Sequence, residues 1–282
     1  MYPYVIIFGK EIGTYFICTL VGIIVCFFFA YFLAKKKGQL IEDLIITVVY
    51  ILIGMFVGGH LVYGITNTSK IIFIFQHISE YNFLSFVVDF FGVCFGGMVF
   101  YGGLLGGIAA MWLVCRTGKY IPSNIMFDIW AICVPLFHTF GRIGCFLGGC
   151  CFGVECKVGF TVHDNPYNPA INDVNRFPVQ LVEAACNLIL FLVLYMLYRK
   201  GKFKNRLLIV YFYIYPVVRF TLEFFRGDEI RGFLFGLSTS QNISILLFAF
   251  AVIFTIVDLN KKRKNGGEPA EEAKPAEEPQ MV

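Results

Sequence analysis

Apolar residues in this chain run in long, nearly unbroken blocks separated by short polar segments. They lack the alternation of a half-buried strand and the one-sided stripe of a soluble helix. About 20 apolar residues are needed to cross the hydrocarbon core of a bilayer. Seven blocks reach or approach that length: Ile12–Ala34, Leu44–Tyr63, Phe91–Val114, Ile125–Ile143, Val179–Tyr198, Leu207–Phe225 and Ile243–Leu259. Phe83–Phe90 is apolar as well, but its shortness and Asp89 predict a lead-in or a partly re-entrant piece. The pattern therefore predicts an all-α polytopic membrane protein with about seven transmembrane helices.

The polar segments set the organisation. Residues 1–260 read as one membrane domain, within which 144–178 forms the longest polar connection. That connection holds DNPYNPAINDVNRFP, a turn-rich stretch expected to build a small cap outside the bilayer. Residues 261–282, rich in Pro, Glu, Ala and Lys, read as a disordered tail. The first ten residues carry no basic leader, so the first apolar block is expected to stay as a span.

Charge orients the spans. With the N-terminus outside, 15 of the 23 Lys and Arg residues fall on the inner side. These include Lys35–Lys37, the five basic residues of Arg199–Arg206, and Lys261–Lys264. The positive-inside rule thus favours N-out, C-in, with the cap between spans four and five on the extracytoplasmic side. Composition agrees: 58% of residues are apolar and only 15% charged, too few to cover a soluble surface. The net charge of +4 is spread along the inner segments and is not the footprint of a nucleic-acid binder.

Against this apolar background the polar side chains within spans stand out, because charge at membrane depth is costly and faces protein or a wet cavity. Asp89, Glu183, Arg219 and Glu223 belong to outer halves, and Asp128 to an inner end. A polar outer cavity ringed by spans three to six is expected. Arg219 and Glu223, four apart, share a helix face. They form either a structural ion pair or an anion-binding arginine with the carboxylate that orients it. Arg142, Arg219 and Arg226 all approach the outer face, and the planar donor fork of arginine suits a phosphate. In FGVCFGGMVFYGGLLGGIAA (residues 91–110) the glycines permit either close helix packing or a helix break beside a cavity. Tyr101, embedded among them, can satisfy a buried partner or touch a substrate.

HTFGRIGCFLGGCCFG, from His138 to Gly153, is the densest motif, with three of the ten cysteines. Cys145, Cys150, Cys151 and Cys156 lie at or above the outer interface, where disulfides, free thiols or metal binding are all open to them. Against zinc, adjacent Cys150 and Cys151 are not expected to serve one tetrahedral site together. The remaining cysteines lie in apolar spans and read as small packing residues. A thiol–disulfide enzyme is weakened by the lack of a C-x-x-C pair. A receptor would explain seven spans but not the arginine elements.

Taken in order, FGGMVFYGGLLGG, GRIG at 141–144, RFPVQLVEA at 176–184, RFTLEFFRGDE at 219–229 and LSTSQNISI at 237–245 resemble the prolipoprotein diacylglyceryl transferases. The resemblance covers the chain apart from its tail. It implies a multi-pass enzyme of the bacterial cytoplasmic (inner) membrane, with its active site on the extracytoplasmic side. The implied reaction moves the sn-1,2-diacylglyceryl group of phosphatidylglycerol to the lipobox cysteine of a preprolipoprotein signal peptide and releases glycerol 1-phosphate. The implied partners are these two substrates and membrane lipids, with no nucleic acid, no metal or organic cofactor, and a monomeric chain. By the same resemblance Arg142, Arg219, Glu223 and Tyr101 are the catalytic set. Tyr15, Gly102, Gly103, His138, Cys145, Gly153, Gln180, Glu183 and Arg226 are the substrate-binding set. The chain departs from the family's pattern at Tyr101, where histidine is common, and at Cys145 and Cys150, where asparagine and glutamate are usual. A lipid-binding or transport protein on the same scaffold, or a transferase with another acceptor, is the competing reading.

Overall fold

The computed structural model describes residues 2–117, 121–163, 165–166, 168–228, 233–234 and 236–264. Lys119, Arg231 and the tail beyond 264 lie outside the described residues. The chain opens with a hairpin, β1 (Tyr4–Ile7) and β2 (Lys10–Gly13), paired antiparallel with Ile7 opposite Lys10. Its two-residue turn, Phe8-Gly9, has both φ values positive, at 51° and 73°. This backbone matches the natural twist of paired strands. Thr14 closes the hairpin by donating its hydroxyl to the Tyr2 carbonyl at 2.6 Å. The first helix therefore starts at Thr14, two residues later than the apolar pattern places it.

Nine α-helices follow among the described residues: α1 (Thr14–Lys35), α2 (Ile41–Thr66), α3 (Thr68–Gln76), α4 (Phe83–Phe95), α5 (Phe100–Arg116), α6 (Ser123–Gly148), α7 (Val179–Arg199), α8 (Leu207–Glu223) and α9 (Thr239–Lys264). Five of them, α1, α2, α6, α7 and α9, are long and apolar enough to cross a membrane. At 1.5 Å per residue they span about 31–39 Å, enough for the hydrocarbon thickness of about 30 Å. Their outward faces carry exposed apolar side chains such as Phe28, Ile53, Phe56, Ile189 and Leu246. Such a surface suits lipid rather than water.

Two features depart from the expected spans. The block Phe91–Val114 is not one helix. It breaks between α4 and α5 at Gly96–Val99, where the backbone NH of Val99 donates to the Gly59 carbonyl of α2 at 3.1 Å. Residues 261–264, placed in the disordered tail, continue α9 as its last turn.

Helix α6 is the most enclosed of the long helices. It packs against α1, α7 and α8, while α2 packs on α5, and α9 on α8. The apolar core gathers Leu33 of α1, Leu44 of α2, Ile129 and Ile132 of α6, Leu194 of α7 and Tyr211 of α8. It sits at the end of the bundle where α1 and α7 finish and α8 begins. There Asp128 of α6 accepts the backbone NH groups of Asn205 (2.8 Å) and Leu207 (3.2 Å). Its buried carboxylate thus satisfies donors at the α8 N-terminus that a helix leaves open.

The α2–α5 seam rests on glycine. Gly54 and Gly58 face Gly106 and Gly102, and a Cβ on any of the four would collide with a backbone atom of the facing helix. At the opposite end of the bundle from the core, the segment after α6 forms β3 (Glu155–Thr161), which pairs with β4 (Asn175–Arg176). A short hairpin of β5 (Phe233–Leu234) and β6 (Leu237–Ser238) precedes α9.

Candidate active site

Three helices each turn a polar stripe toward the same place. On α6 the stripe is His138, Arg142 and Cys145; on α7 it is Gln180, Glu183 and Asn187; on α8 it is Tyr215, Arg219 and Glu223. Spacings of three or four residues keep each set on one helical face. Helices α6 and α8 also carry internal prolines, Pro135 and Pro216, each lying between the apolar core and the polar stripe.

The charges meet as pairs. Arg142 Nη2 lies 3.0 Å from Glu183 Oε1, joining α6 to α7. Arg219 Nη2 lies 2.6 Å from Glu223 Oε2 within α8. It also donates to Ser240 Oγ of α9 at 3.0 Å. Just past α8, Arg226 grips Asp228 through Nε and Nη2, both at 3.0 Å. Arg219, Glu183 and Glu223 are buried, with 3%, 1% and 8% of their surface exposed. Ions that far from water persist only when paired. Two donors are left over: Arg219 Nη1 and Arg226 Nη1 are buried and have no acceptor among the described residues.

Tyr101, at the start of α5, hydrogen-bonds with Ser244 of α9 and lies within electrostatic reach of Arg219, Glu183 and Glu223. His138 is enclosed beside Asn187 and within reach of both Arg142 and Arg219. Tyr15 of α1 packs against Gly144 and approaches Cys145, Cys150 and Arg142. Gln180 donates its amide to the Cys150 carbonyl at 2.9 Å.

The end of α6 determines where the thiols go. Gly149, with φ 76°, terminates the helix in the left-handed conformation. Cys151 follows with φ 56°. The two reversals fold the chain back, so that the sulfurs of Cys145, Cys150 and Cys151 all lie within 4.8 Å of one another. The sulfurs of adjacent Cys150 and Cys151 thus come together although the residues are neighbours in sequence. All ten cysteines are unpaired. Cys150 Sγ donates to the Cys145 carbonyl at 3.7 Å. The two neighbouring sulfurs, with Arg226 and Arg142 beside them, hold the Cys151 thiol well below the ordinary thiol range.

The loop that follows is pinned to α8. Gly153 pairs with Arg226 in a β-bridge, Val154 NH donates to the Phe225 carbonyl, and Gly227 NH donates to the Phe152 carbonyl, both at 3.0 Å. A Cβ at Gly153 would strike the Phe177 carbonyl oxygen. Gly153 thus acts by letting the loop reach α8 and holding Arg226 in place.

Most of the anticipated residues therefore converge: Arg142, Arg219, Glu223, Glu183, Tyr101, Tyr15, His138, Cys145, Gln180 and Arg226. Gly102 and Gly103 do not. Gly102 faces Gly58 and Val62, and Gly103 faces Met55, so both are accounted for by the α2–α5 seam. Asp89, expected in the polar cavity, is exposed on α4 and lines an open groove with Lys70, Phe73 and Tyr81. Sequence reasoning missed Ser240, Ser244 and Asn187. Their signal was available: polar residues at helical spacing at the head of α9, and one turn beyond Glu183 in α7.

A multi-pass helical membrane protein with buried guanidinium–carboxylate pairs at one end of its bundle is the class that this fold and site define. The family model for prolipoprotein diacylglyceryl transferase matches residues 3–257. A phosphatidylglycerol--prolipoprotein diacylglyceryl transferase of Clostridium tetani (strain Massachusetts / E88) is 29% identical over 259 residues, covering 91% of this chain and 97% of its own. A protein of the same name from Campylobacter hominis is 30% identical over 249 residues, with 86% and 85% covered. Phosphatidylglycerol--prolipoprotein diacylglyceryl transferase 2 of Clostridium perfringens (strain 13 / Type A) is 30% identical over 264 residues, with 93% and 97% covered. The chain belongs to the prolipoprotein diacylglyceryl transferase family, as its motifs anticipate.

Proposed function

We propose that this chain transfers the sn-1,2-diacylglyceryl group of phosphatidylglycerol to the lipobox cysteine of preprolipoproteins and releases glycerol 1-phosphate. The observation that carries the reading is the pair of buried, unshared arginine donors, Arg219 Nη1 and Arg226 Nη1. Each arginine is already fixed by a carboxylate and still has a hydrogen to give. Arginines oriented in this way are ready for phosphate oxygens without reorganisation.

The acceptor sulfur, as thiolate, attacks the glyceryl carbon that carries the phosphate. A C–S bond forms, the C–O bond to phosphate breaks, and glycerol 1-phosphate leaves with the bonding pair. Arg142, Arg219 and Arg226 bind the phosphate, and Arg142 with Arg219 offsets the charge that grows on the departing oxygen. Glu183 and Glu223 hold the two guanidiniums, Ser240 fixes Arg219, and Tyr101 with His138 closes the wall beside them. Tyr15, Gln180 and Arg226 shape the headgroup end. The chain works as a monomer in the bacterial inner membrane.

The five long helices plus α5 and α8, each 17 residues, make seven crossings. With seven crossings the N-terminal hairpin and the β3–β4 cap share one side and the C-terminus lies on the other, which the excess of Lys and Arg makes the cytoplasmic one. This orientation leaves the site on the side from which a secreted precursor is modified.

The test uses purified protein in phosphatidylglycerol micelles with a lipobox peptide, following peptide mass and glycerol phosphate together. Peptide gaining a diacylglyceryl mass in step with glycerol phosphate is the expected outcome. Arg142→Ala and Arg219→Ala should each lose about 100-fold or more. Lipid binding without peptide modification would sink the reading in favour of a lipid-binding protein.

A further inference from the structure

Three thiols at one point need an explanation that packing does not supply. Cys145 ends a buried helical stripe, while Cys150 and Cys151 reach it only because the chain reverses twice, at Gly149 and again at Cys151. A non-glycine residue with left-handed φ costs about 1–3 kcal/mol and persists where surrounding structure over-determines it. Here that structure is present. Gln180 holds the Cys150 carbonyl, Cys150 NH donates to the Cys145 carbonyl at 3.1 Å, and Gly153 is bridged to Arg226. The turn is held from three sides in the conformation that gathers the sulfurs.

A disulfide accounts for two sulfurs at most. Pairing the adjacent residues is disfavoured, since neighbouring Cα atoms stand about 3.8 Å apart, below the usual disulfide range of about 4.4–6.8 Å. Any bridge would therefore use Cys145 and leave one thiol over. A thiophilic cation uses all three. Zinc–sulfur bonds of about 2.3 Å put tetrahedral ligand sulfurs roughly 3.8 Å apart. Sulfurs already within 4.8 Å of one another need only side-chain adjustment to reach that spacing. Charge fits as well. Three thiolates around Zn²⁺ carry one net negative charge, and the guanidiniums of Arg142 and Arg226 both act on this cluster.

Among the described residues the group numbers three. Three protein ligands leave one position of a tetrahedral zinc shell unfilled, the arrangement of reactive rather than structural zinc. Cys145 lies one helical turn beyond Arg142, so the unfilled position belongs to the region of the proposed transfer.

We propose that Cys145, Cys150 and Cys151 bind one zinc ion as thiolates, and that its fourth position takes the acceptor cysteine. The second half of this proposal rests on the transferase reading above. The acceptor thiol gives its proton to water as its sulfur joins the metal, and it waits there as a bound thiolate. No redox change is involved. The site is particular to this chain's cysteines, and the family's general route does not require it.

Cobalt tests it on the purified, reduced full-length protein, with Co²⁺ as a spectroscopic stand-in for zinc. One equivalent per chain is expected to give thiolate-to-cobalt charge transfer and four-coordinate visible bands, and one equivalent of Zn²⁺ should erase both. Cys145→Ser and Cys151→Ser should lose the signal. Cys156→Ser, whose thiol bonds locally to the Val158 carbonyl, should keep it. A lipobox peptide should raise the charge-transfer intensity by about one third, from three thiolates to four, and its Cys→Ser version should not. Reduced wild-type protein that takes up no cobalt overturns the site whatever the variants do. Equal spectra with the two peptides overturn the capture of the acceptor. Cobalt binding with no peptide modification under any condition fails the transferase reading and leaves the metal site standing. Full transfer by protein shown to be free of metal overturns the capture of the acceptor and leaves the transferase reading standing.

Discussion

In the proposed reaction Arg219 meets three demands with one side chain: it holds Glu223, reaches Ser240 and keeps a hydrogen for substrate. Lysine has the charge without the planar fork. Arg219→Lys is therefore expected to lose transfer more than tenfold in the peptide-mass assay while the protein still folds. Ser240→Ala removes one hydrogen bond donated by the charged guanidinium, worth about 1.5 kcal/mol or more. It should slow transfer about tenfold, read as kcat, with little change in the thermal midpoint. The Cys151 thiol, stabilised as thiolate by its two sulfur neighbours and two arginines, should titrate below the ordinary thiol value of about 8.5. In metal-free protein its alkylation by iodoacetamide should persist near about pH 6, where an unperturbed thiol is protonated. The sign is that of a depressed pKa: the thiolate's contribution to stability is present above the unfolded value and lost only as pH falls through the folded one. Peptide mapping across pH checks this, and alkylation that stops with that of Cys156 would refute it. Arg142, Arg219 and Glu223 were legible because ionised residues inside apolar blocks are conspicuous. Ser240 and Ser244 carried only the weaker signal of polar residues at helical spacing, since a hydroxyl at a helix start has many ordinary uses.

Helix α5 shows why spacing leaves some choices open. Glycines in residues 91–110 are compatible with both close packing and a break, and the structure uses them for both. Gly96 and Gly97 sit at the interruption, and Gly102 and Gly106 sit in the seam. What decides between these uses is a partner 44–52 residues away, Gly54 and Gly58 of α2, and no local pattern contains it. Gly106→Ala puts a methyl against the Gly54 carbonyl oxygen, and overpacking of this kind costs about 1–3 kcal/mol. A lowered thermal midpoint in detergent is expected, with reduced transfer, because the same helix presents Tyr101. Asp128, flagged by its position at an inner span end, proves to serve α8. Asp128→Ala strands two backbone NH groups and should destabilise by about 3 kcal/mol. Recovery by Asp128→Asn, which keeps one acceptor, should be partial. Equal folding yields for all three proteins would contradict this role.

The long spans were recoverable from apolar run length alone: α1, α2, α6, α7 and α9 begin and end within a few residues of their blocks. Run length could not show that the molecule divides into two unlike ends. The apolar core occupies one end and the three ion pairs the other. The proposed orientation puts the core end inside. A C-terminal green fluorescent protein fusion should then fluoresce, while a C-terminal alkaline phosphatase fusion stays inactive; the opposite result would invert the topology.

The two prolines take on a mechanical meaning in this division. Pro135 and Pro216 each remove a rung from the hydrogen-bond ladder of an arginine-bearing helix, at the level between greasy packing and charged grip. The bundle is built like a pair of tongs, riveted at one tip by interlocked side chains and jointed partway along two limbs. In the proposed reaction the working tip is gripped largely by opposite charges, and an incoming anion would compete for those same charges. Whatever loosens the grip is thus also what the grip is shaped to hold.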